Sequence, residues 1–471
     1  MSKRFRACDL NEIFLLPPSL QDWLPEKHLA RFVADLTDQL DLSKIYADYG
    51  RKDSRGQAAY HPVMMVRLML YGYCVGTASS RKIELKTYDD VAFRFLAADL
   101  HPDHDSIASF RQRHLPHLAE LFTQALQMCS KAGLIKLGHV AIDGTKLNAN
   151  ASKHKAMSYE RMNEKEKQLR EEVEKLLAEA AKTDADEDAK YGPGKRADEL
   201  PKDLERRESR LRKIAAAKAE LEQEARELAE AKKAEVEKKL EERRQKEQEQ
   251  GHKMGGRPPQ APDPEQAKPE PKAQRNFTDA ASRIMMDGAS KGFIQAYNAQ
   301  AAVDDKAQII VAAEITQQAN DKKQLVPMIQ AVENNLGRKP EQVTADAGYF
   351  SEAAVTDPAL KGVDLLVAVS REKHTITTEP GSPTAEGQSA EARSATETMR
   401  EKLKSSAGKA IYKLRKAVVE PVFGQIKERR GLRRFLLRGL EKVSAEWKLI
   451  CLTHNVLKMF KAGVCLQTAQ A

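Results

Sequence analysis

The spacing of hydrophobic residues changes several times along the 471-residue chain, and each spacing predicts a different kind of element. Residues 1 to about 135 have apolar positions at helical intervals, as in HPVMMVRLMLYGYCVG and HLAELFTQALQMCSKAGL, which predicts a helical N-terminal region. In PDHDSIASFRQRH, Asp105 and Ser106 are candidate helix caps, and Arg111 and Arg113 lie on the helix that follows. Short helices joined by turns suit a helix-turn-helix-like DNA-binding domain, but equally a plain helical bundle.

A second pattern occupies residues 155–272, which are rich in Glu, Lys and Ala and almost free of aromatic side chains. Apolar positions recur there at seven-residue steps on both sides of a YGPG break at 191–194: Met162, Leu169 and Leu176, then Ile214, Leu221 and Leu228. This spacing predicts two amphipathic helices paired as an antiparallel hairpin or coiled coil. A solvated charged helix without a partner is the alternative. GGRPPQAPDPEQAKPEPKAQ (255–274) predicts a disordered linker.

Strand-like runs occur at HVAI (139–142) and again after residue 275. FIQAYNAQAAVD and AQIIVAAEITQ predict successive strands, EQVTADAGYFS predicts a strand that ends at Asp346, and VDLLVAVS predicts another. KKQLVPMIQAVENNL has helical spacing, a polar stretch follows at 371–397, and the chain is helical again around YKLRKAVVEPVFGQIKERR. Strands mixed with helices predict an α/β domain after the helical N-terminal region.

The charge is concentrated in one segment. Residues 401–440 hold twelve Lys and Arg against three acids, which equals the whole formal excess of +9. A basic block of this density favours a polyanionic partner, although a solvated basic helix would have the same composition. We expect a soluble cytoplasmic protein, because we find neither an apolar run of membrane-spanning length nor a signal peptide. The five cysteines are scattered, which argues against a disulfide framework or a cysteine zinc site.

Three acidic residues are candidates for chemistry. Asp143 follows the strand HVAI and Asp346 follows a second strand, each with a glycine close behind, while Glu420 is flanked by valines and Phe423 within the basic block. Taken alone, Asp143 is explained better as a turn aspartate that closes its strand. The flanking residues of Glu420 predict apolar surroundings, in which a carboxylate needs a partner, a metal or a raised pKa. Three converging carboxylates would suit Mg²⁺ or Mn²⁺, and two such ions would serve phosphodiester chemistry.

The stretches AIDGTKLNANAS, YNAQAAVD, TADAGYFS and VVEPVFGQIKERRGLRRFLLRG resemble, in order, the motifs of DDE transposases of bacterial insertion sequences. The similarity is greatest to the group with a Tyr-Arg-Glu-Lys signature around the last acid. Glu420 and Lys427 keep the signature spacing, whereas Tyr412 and Lys416 depart from it by one position. HPVMMVRLMLYGYCVGTASSRKIE with DSIASFRQRH, and EWKLICLTHNVLKM, are similar to the N-terminal domain and the C-terminal helix of the family.

The resemblance implies an all-α N-terminal, DNA-binding domain at 1–135. It also implies an α/β ribonuclease-H-like catalytic domain, with a mixed sheet flanked by helices, at 136–154 and 273–465. Residues 155–272 would form a long helical, coiled-coil-like insertion between the first and second acids. Asp143, Asp346 and Glu420 would be the catalytic residues and would hold two Mg²⁺ or Mn²⁺ ions. The residues expected to contact DNA are Lys427, Arg415, Lys416, Arg430, Arg433, Arg434, Arg438, Arg111 and Arg113.

The implied function is DNA transposition: metal-dependent strand cleavage and strand transfer at the ends of an insertion sequence. The expected partners are terminal inverted repeats, target DNA and further copies of the chain in a synaptic complex, all in the bacterial cytoplasm and at the nucleoid when DNA is bound. A metal-dependent nuclease without strand transfer, and a catalytically inactive DNA-binding or scaffold protein, remain the rival hypotheses. Zinc binding by the histidines around His101 and His114 lacks cysteine support, and no serine lies in a nucleophile elbow.

Overall fold

The computed structural model describes residues 19–50, 58–191, 202–250, 259–288, 290–369 and 394–466. The basic N-terminus (1–6), most of the YGPG break (192–194) and most of the polar stretch (371–393) lie outside these residues. Within the described part of the chain, no helix is both long and apolar enough to cross a membrane.

The N-terminal region is helical, as predicted. Its helices are α1 (Leu29–Asp38), α2 (Ser43–Gly50), α3 (Pro62–Cys74), α4 (Ser80–Asp89), α5 (Val91–Leu96) and α6 (His104–Lys131). The cap of α6 differs from the prediction, because the Asp103 side chain accepts the Ser106 N–H at 2.7 Å and Asp105 lies inside the first turn. A carboxylate at this position satisfies an amide that has no partner within the helix.

The insertion forms two long helices, α7 (Tyr159–Tyr191) and α8 (Lys202–Gln250). Their contacts run in opposite directions along the chain, since Glu172 pairs with Arg207 and Glu166 with Lys218. The predicted antiparallel hairpin is therefore present. Four of the six seven-residue positions, Met162, Leu169, Ile214 and Leu221, form a small buried core together with Ala217. Leu176 is only half-buried and Leu228 is 62% exposed, and neither belongs to this core.

The predicted disordered linker spans 255–274, of which 255–258 lie outside the described residues, whereas 259–274 have defined structure, in contrast to that prediction. A short 3₁₀-helix, Pro264–Gln266, packs against α8. The chain then returns to the start of α7, where the Tyr159 N–H donates to the Ala273 carbonyl at 2.8 Å. The two ends of the helical hairpin thus lie side by side.

The strands are β1 (His139–Asn148), β2 (Ala156–Ser158), β3 (Gln274–Asn276), β4 (Arg283–Met286), β5 (Phe293–Asp304), β6 (Ile310–Thr316), β7 (Gln342–Ala345) and β8 (Asp364–Val367). Six of these form a mixed sheet, in which five follow the order β6–β5–β1–β7–β8. The sixth, β4, pairs with the first residues of β5, on the same edge along which β6 pairs with the later residues of β5. The pairs from β6 to β1 are antiparallel, whereas β7 and β8 run parallel to β1. β2 and β3 form a separate pair at the base of the insertion.

Helices flank this sheet, as predicted. They are α9 (Leu325–Leu336), α10 (Glu352–Val355), α11 (Ala395–Lys404), α12 (Ser406–Gly424) and α13 (Leu440–Lys461), and a π-helical turn, Gln425–Arg429, extends α12. α9 packs on β5 and β6, and α12 packs on β1, β5 and β7. α13 lies between β6 and the N-terminal helices α3 and α6. One continuous apolar core therefore joins the helical region to the sheet.

Candidate active site

Asp143 lies in the middle of β1 rather than at its end. The sequence predicted that the strand stops at Ile142, but β1 continues to Asn148 because the 12-residue β5 pairs with it along this length. The Asp-Gly step therefore continues the strand and does not close it as a turn would. The interpretation of Asp143 as a turn residue does not hold.

Asp346 lies beside Asp143. The last registered pair of the parallel strands β1 and β7 is Ile142 with Ala345, and the next residue on each chain segment is an aspartate. Both aspartates are half-buried. The structure thus brings together two of the three predicted acids, since both side chains leave adjacent strands at the same level.

The two carboxylates interact electrostatically with each other and with their neighbours. The pKa of Asp143 is raised to about 6, chiefly because burial disfavours its charged form, and the charges of Asp346 and Asp321 add to the rise. The Arg415 guanidinium opposes this effect, with Nη1 3.3 Å from Asp143 Oδ2. The Gly144 N–H donates to Asp143 Oδ1 at 2.8 Å and also favours the charged carboxylate.

A third carboxylate at this place, Asp321, was not predicted. It follows β6 in a polar loop, and its Oδ1 accepts hydrogen bonds from the side-chain amides of Asn298 and Gln300, each at 2.7 Å. In the sequence it looked like an ordinary loop acid ahead of a helix. The available signal was the pair of amides in YNAQAAVD, because buried amides two positions apart on a strand point to the same face and need polar partners.

The glycines after the two strand aspartates leave room for Asp321. A Cβ on Gly144 would lie 2.9 Å from Asp321 Oδ1, and it would also collide with the Gln300 amide. A Cβ on Gly348 would lie 3.4 Å from Asp321 Oδ2 and 2.9 Å from Asp346 Oδ1. The Gly348 N–H also donates to Asp346 Oδ1 at 2.9 Å. The Asp-Gly and Asp-Ala-Gly patterns therefore allow three carboxylates to approach one another.

Glu420 is placed differently from the two aspartates. It is exposed on α12, and the face of that helix which packs on the sheet carries Arg415, Val418, Val419 and Val422 instead. The expectation of apolar surroundings for Glu420 is wrong, because its valine neighbours turn toward the sheet while it turns away from it. Within the described residues, no three His, Cys, Asp or Glu side chains form a group that could hold a metal ion as they stand.

The donor set nevertheless fits a hard divalent cation in its chemistry. Asp143, Asp321 and Asp346 present carboxylate oxygens to one region, and Asn298 Oδ1 is fully buried there without a hydrogen-bond partner. Mg²⁺ takes oxygen ligands, commonly one or two carboxylates, and keeps several waters. A group of three preformed protein ligands is therefore not required of such a site.

Two lysines, Lys146 and Lys427, add positive charge to this part of the molecule. Lys146 lies on β1 opposite Asn298, and burial lowers its pKa while the three aspartates act in the opposite direction. Burial also lowers the pKa of Lys427, and the charges of Arg433 and Lys146 lower it further. The two lysines therefore lie near each other, with Lys146 next to the three aspartates and Lys427 next to Asp287 and Glu428. Lys427 was predicted from the sequence, whereas Lys146 was not.

The segment after the π-helical turn runs along the end of β1. The Asn148 N–H donates to the Arg433 carbonyl at 3.0 Å, and the Phe435 N–H donates to the Asn148 carbonyl at 2.9 Å. Arg433 is exposed and pairs with Glu428. A surface groove beside this segment is lined partly by apolar side chains, among them Phe293 and Ile294, and partly by basic and polar ones: Asn148, Asn150, Lys153, His154, Lys155, Arg434 and Arg438. Two further predicted DNA contacts, Lys416 and Arg113, are also exposed.

Three of the predicted DNA-contacting arginines are buried. Arg430 is 5% exposed, and its Nη1 donates to Thr453 Oγ1 at 2.8 Å and to the carbonyls of Tyr73 and Ile450. Arg111 is 7% exposed and donates to the Ala78 carbonyl at 2.9 Å. Guanidinium groups with interior partners do not reach a phosphate. The prediction that Arg111 and Arg430 contact DNA is therefore wrong, and both side chains stabilise the fold instead. Arg415 likewise faces Asp143 rather than the surface.

The histidines considered for zinc have protein partners. His104 Nδ1 lies 2.7 Å from Glu84 Oε2, and His114 Nδ1 lies 3.0 Å from Asp48 Oδ2. His117 also approaches Asp48, and His101 stacks on the ring of Tyr88. Each of them is engaged within the helical region.

Two family models match the chain, one toward each end. Residues 18–113 match a transposase domain (DUF772), and residues 382–460 match a transposase DDE domain. The second match includes Glu420, the basic block and α13, while the first covers α1 to α5 and the start of α6. Neither a curated protein nor a solved structure gives a significant match.

The two matches indicate the transposase class, and the fold and the paired aspartates agree with it. The two matches support a DDE transposase of the insertion-sequence type, and so confirm the resemblance noted in the motifs of the chain. Transposases of this kind act on DNA, and the DDE family generally uses divalent metal ions.

Proposed function

We propose that this chain catalyses cleavage and strand transfer at the ends of its own insertion sequence, with Asp143 and Asp346 at the reaction centre. The observation that carries the proposal is the adjacency of these two half-buried carboxylates on parallel strands, in a chain with transposase matches at both ends. The strand order β6–β5–β1–β7–β8, antiparallel on one side of β1 and parallel on the other, supports a ribonuclease-H-like catalytic domain.

Each neighbouring group has a distinct proposed role. Asp143 and Asp346 would hold two divalent ions, Mg²⁺ or Mn²⁺. Such ions would lower the pKa of an attacking water or hydroxyl and would stabilise the leaving oxygen. Arg415 fixes the orientation of Asp143 through its 3.3 Å contact, and so acts as a positioning residue. Lys146 and Lys427 would neutralise the phosphate beside the cut.

The role of Glu420 remains a proposal that rests on its place in the motif. An exposed glutamate on α12 could join the two aspartates once a DNA end and metal ions are bound, because catalytic geometry often tightens only in the complex. Arg433, Arg434 and Arg438, together with Lys416 and Arg113, would contact the DNA backbone. The groove at the end of β1 would guide the strand toward the aspartates.

A cleavage assay tests this proposal. The substrate is a duplex carrying the DNA that flanks the coding region, where we expect short inverted repeats on both sides. Mg²⁺ or Mn²⁺ should be required, and Asp143→Ala, Asp346→Ala and Glu420→Ala should each abolish cleavage while DNA binding survives. Glu441→Gln is a matched control, since Glu441 is an exposed glutamate in the first turn of α13. Retained cleavage in any of the three alanine variants would remove that residue from the proposed centre.

A further inference from the structure

We propose that Asp321, with the amide oxygen of Asn298, completes a divalent-cation site with Asp346. This inference deepens the proposed function and rests on it for the identity of the site as catalytic. No part of the motif resemblance assigns a role to either residue. The inference stands on the placement of the Asp321 oxygens, on an unpartnered buried oxygen, and on the two glycines that leave the space open.

The two oxygens of Asp321 have different surroundings. Oδ1 is fixed by the amides of Asn298 and Gln300, which hold the carboxylate in one orientation. Oδ2 faces Gly348, where one point lies 3.4 Å from it and 2.9 Å from Asp346 Oδ1. In the described part of the chain, Oδ2 receives no hydrogen bond. A carboxylate that served only to satisfy the β5 amides would not need its second oxygen aimed at another aspartate.

Asn298 provides the independent observation. Its side chain is fully buried, its Nδ2 donates to Asp321 Oδ1 and to the Gln318 carbonyl, and its Oδ1 has no hydrogen-bond partner. That oxygen lies 3.0 Å from the position of a Cβ on Gly144, on the same side as Asp321. A buried carbonyl oxygen without a donor is costly unless a cation or an ordered water meets it.

The other side chains around Asp321 and Asn298 favour a cation, and not a further protein donor, as the partner of the free oxygens. Gln300 is already committed, because its Nε2 donates to Asp321 while its Oε1 accepts from the Tyr349 hydroxyl. Lys146 contributes the nearby positive charge, and the negative charge of Asp321 is the largest favourable influence on its ammonium group. Three carboxylates against one lysine and Arg415 leave a net negative charge, which favours binding of a cation. The oxygen-only donor set selects a hard cation such as Mg²⁺ or Mn²⁺.

The alternative is a purely structural Asp321 neutralised by Lys146. The backbone carbonyl of Asp321 accepts the Gln324 N–H at 2.9 Å at the turn into α9, so the residue does contribute to that turn. This contact involves the main chain, and an asparagine would retain it. Asp321→Asn also keeps an acceptor at Oδ1 for both amides, so the variant removes charge and a metal ligand while leaving the local hydrogen bonds intact.

Metal binding by the full-length chain separates these possibilities without an activity readout. Free Mn²⁺ is followed by electron paramagnetic resonance as protein is added, for wild type, Asp321→Asn, Asp346→Asn and the control Asp305→Asn. Asp305 is a half-buried aspartate at the opposite end of β5. We expect Asp321→Asn to weaken Mn²⁺ binding at least 10-fold, as Asp346→Asn does, and Asp305→Asn to bind like wild type.

The outcomes distinguish this inference from the proposed function. Mn²⁺ binding that depends on Asp346 but is unchanged in Asp321→Asn overturns the role of Asp321 and leaves the proposed function standing. Binding that depends on both residues in a chain that never cleaves DNA supports the cation site and contradicts the proposed function. A wild-type chain that binds no Mn²⁺, with or without duplex DNA, contradicts the inference. Circular dichroism of each variant confirms that a lost signal is not lost folding.

Discussion

Arg430 and the surface arginines that follow it should have opposite effects when they are replaced. Arg430 is buried between α3 and α13, where its guanidinium joins Tyr73, Ile450 and Thr453. Arg433, Arg434 and Arg438 are exposed at the end of β1. We therefore predict that Arg430→Met lowers stability without changing the salt dependence of DNA binding. The triple replacement of the exposed arginines by glutamine should do the reverse.

The size of the Arg430 effect follows from two opposing contributions. Burial lowers the pKa of Arg430 to about 10, which corresponds to roughly 3 kcal/mol of desolvation at about 1.4 kcal/mol per pKa unit. The hydrogen bonds of a charged donor are worth about 1.5–3 kcal/mol each, and one of those made by Arg430 is short, at 2.8 Å, while the others are 3.3–3.4 Å. A methionine removes both contributions and leaves the Tyr73 carbonyl without this donor. We expect a net loss of about 2 kcal/mol.

Two measurements check the contrast. Urea unfolding is followed by the fluorescence of the two tryptophans, Trp23 and Trp447, of which Trp447 is buried in α13 and donates to the Gln300 carbonyl. Arg430→Met should lower the midpoint at unchanged slope, and the triple variant should stay within about 0.5 kcal/mol of wild type. The plot of log affinity against log salt should flatten by about 0.9 per lost phosphate contact in the triple variant only. A flattened salt dependence in Arg430→Met, with normal stability, would refute the structural role.

Two further predictions concern the insertion and the interior. Deleting residues 160–270 and joining the ends with a short Gly/Ser linker should leave a folded chain that binds Mn²⁺, because Tyr159 and Ala273 are already hydrogen-bonded. That chain should fail to pair two DNA ends in a gel shift. Normal pairing would show that the hairpin has no role in assembly. Acidification should destabilise the chain through His454, because burial lowers the pKa of this histidine to about 3. Between pH 6.5 and about 3, the unfolded state therefore binds a proton that the folded state does not bind. Thermal melts should lose less stability over this range in His454→Gln than in wild type or in the exposed control His154→Gln, and parallel curves would contradict the assignment.

The sequence predicted the elements better than their surroundings. The strand-like run of β5 and the helical spacing of α9 are local patterns, and both elements appear where they were expected. The seven-residue repeat of the insertion was right for Met162, Leu169, Ile214 and Leu221, but Leu176 and Leu228 are not part of the buried core. Leu228 lies past Tyr159, the start of α7, and so has no partner helix to cover it. Sequence spacing cannot show where a partner helix ends.

The site was predicted in part for the same reason. Asp143 and Asp346 were expected together from the motif resemblance, and in the structure they meet because parallel neighbouring strands bring equivalent positions to one level. Asp321 depends on a loop that folds back onto β5, and no local pattern encodes that contact. Arg111 and Arg430 looked like surface charges, since composition does not distinguish an exposed guanidinium from one whose donors are satisfied by interior carbonyls. Burial of charge depends on tertiary packing and is visible only in the fold.

Strand transfer is the reaction that most directly tests the central claim, because it separates a transposase from a nuclease with the same acids. Pre-cut ends of the element, labelled at the strand with the free 3′-hydroxyl, are incubated with full-length chain, target plasmid and Mg²⁺. The account predicts labelled DNA joined covalently to the plasmid by wild type and by Glu441→Gln, and no joining by Asp143→Asn or Asp346→Asn, although both variants still bind the ends. Joining that persists in Asp143→Asn, or ends that are hydrolysed but never joined by wild type, would contradict it.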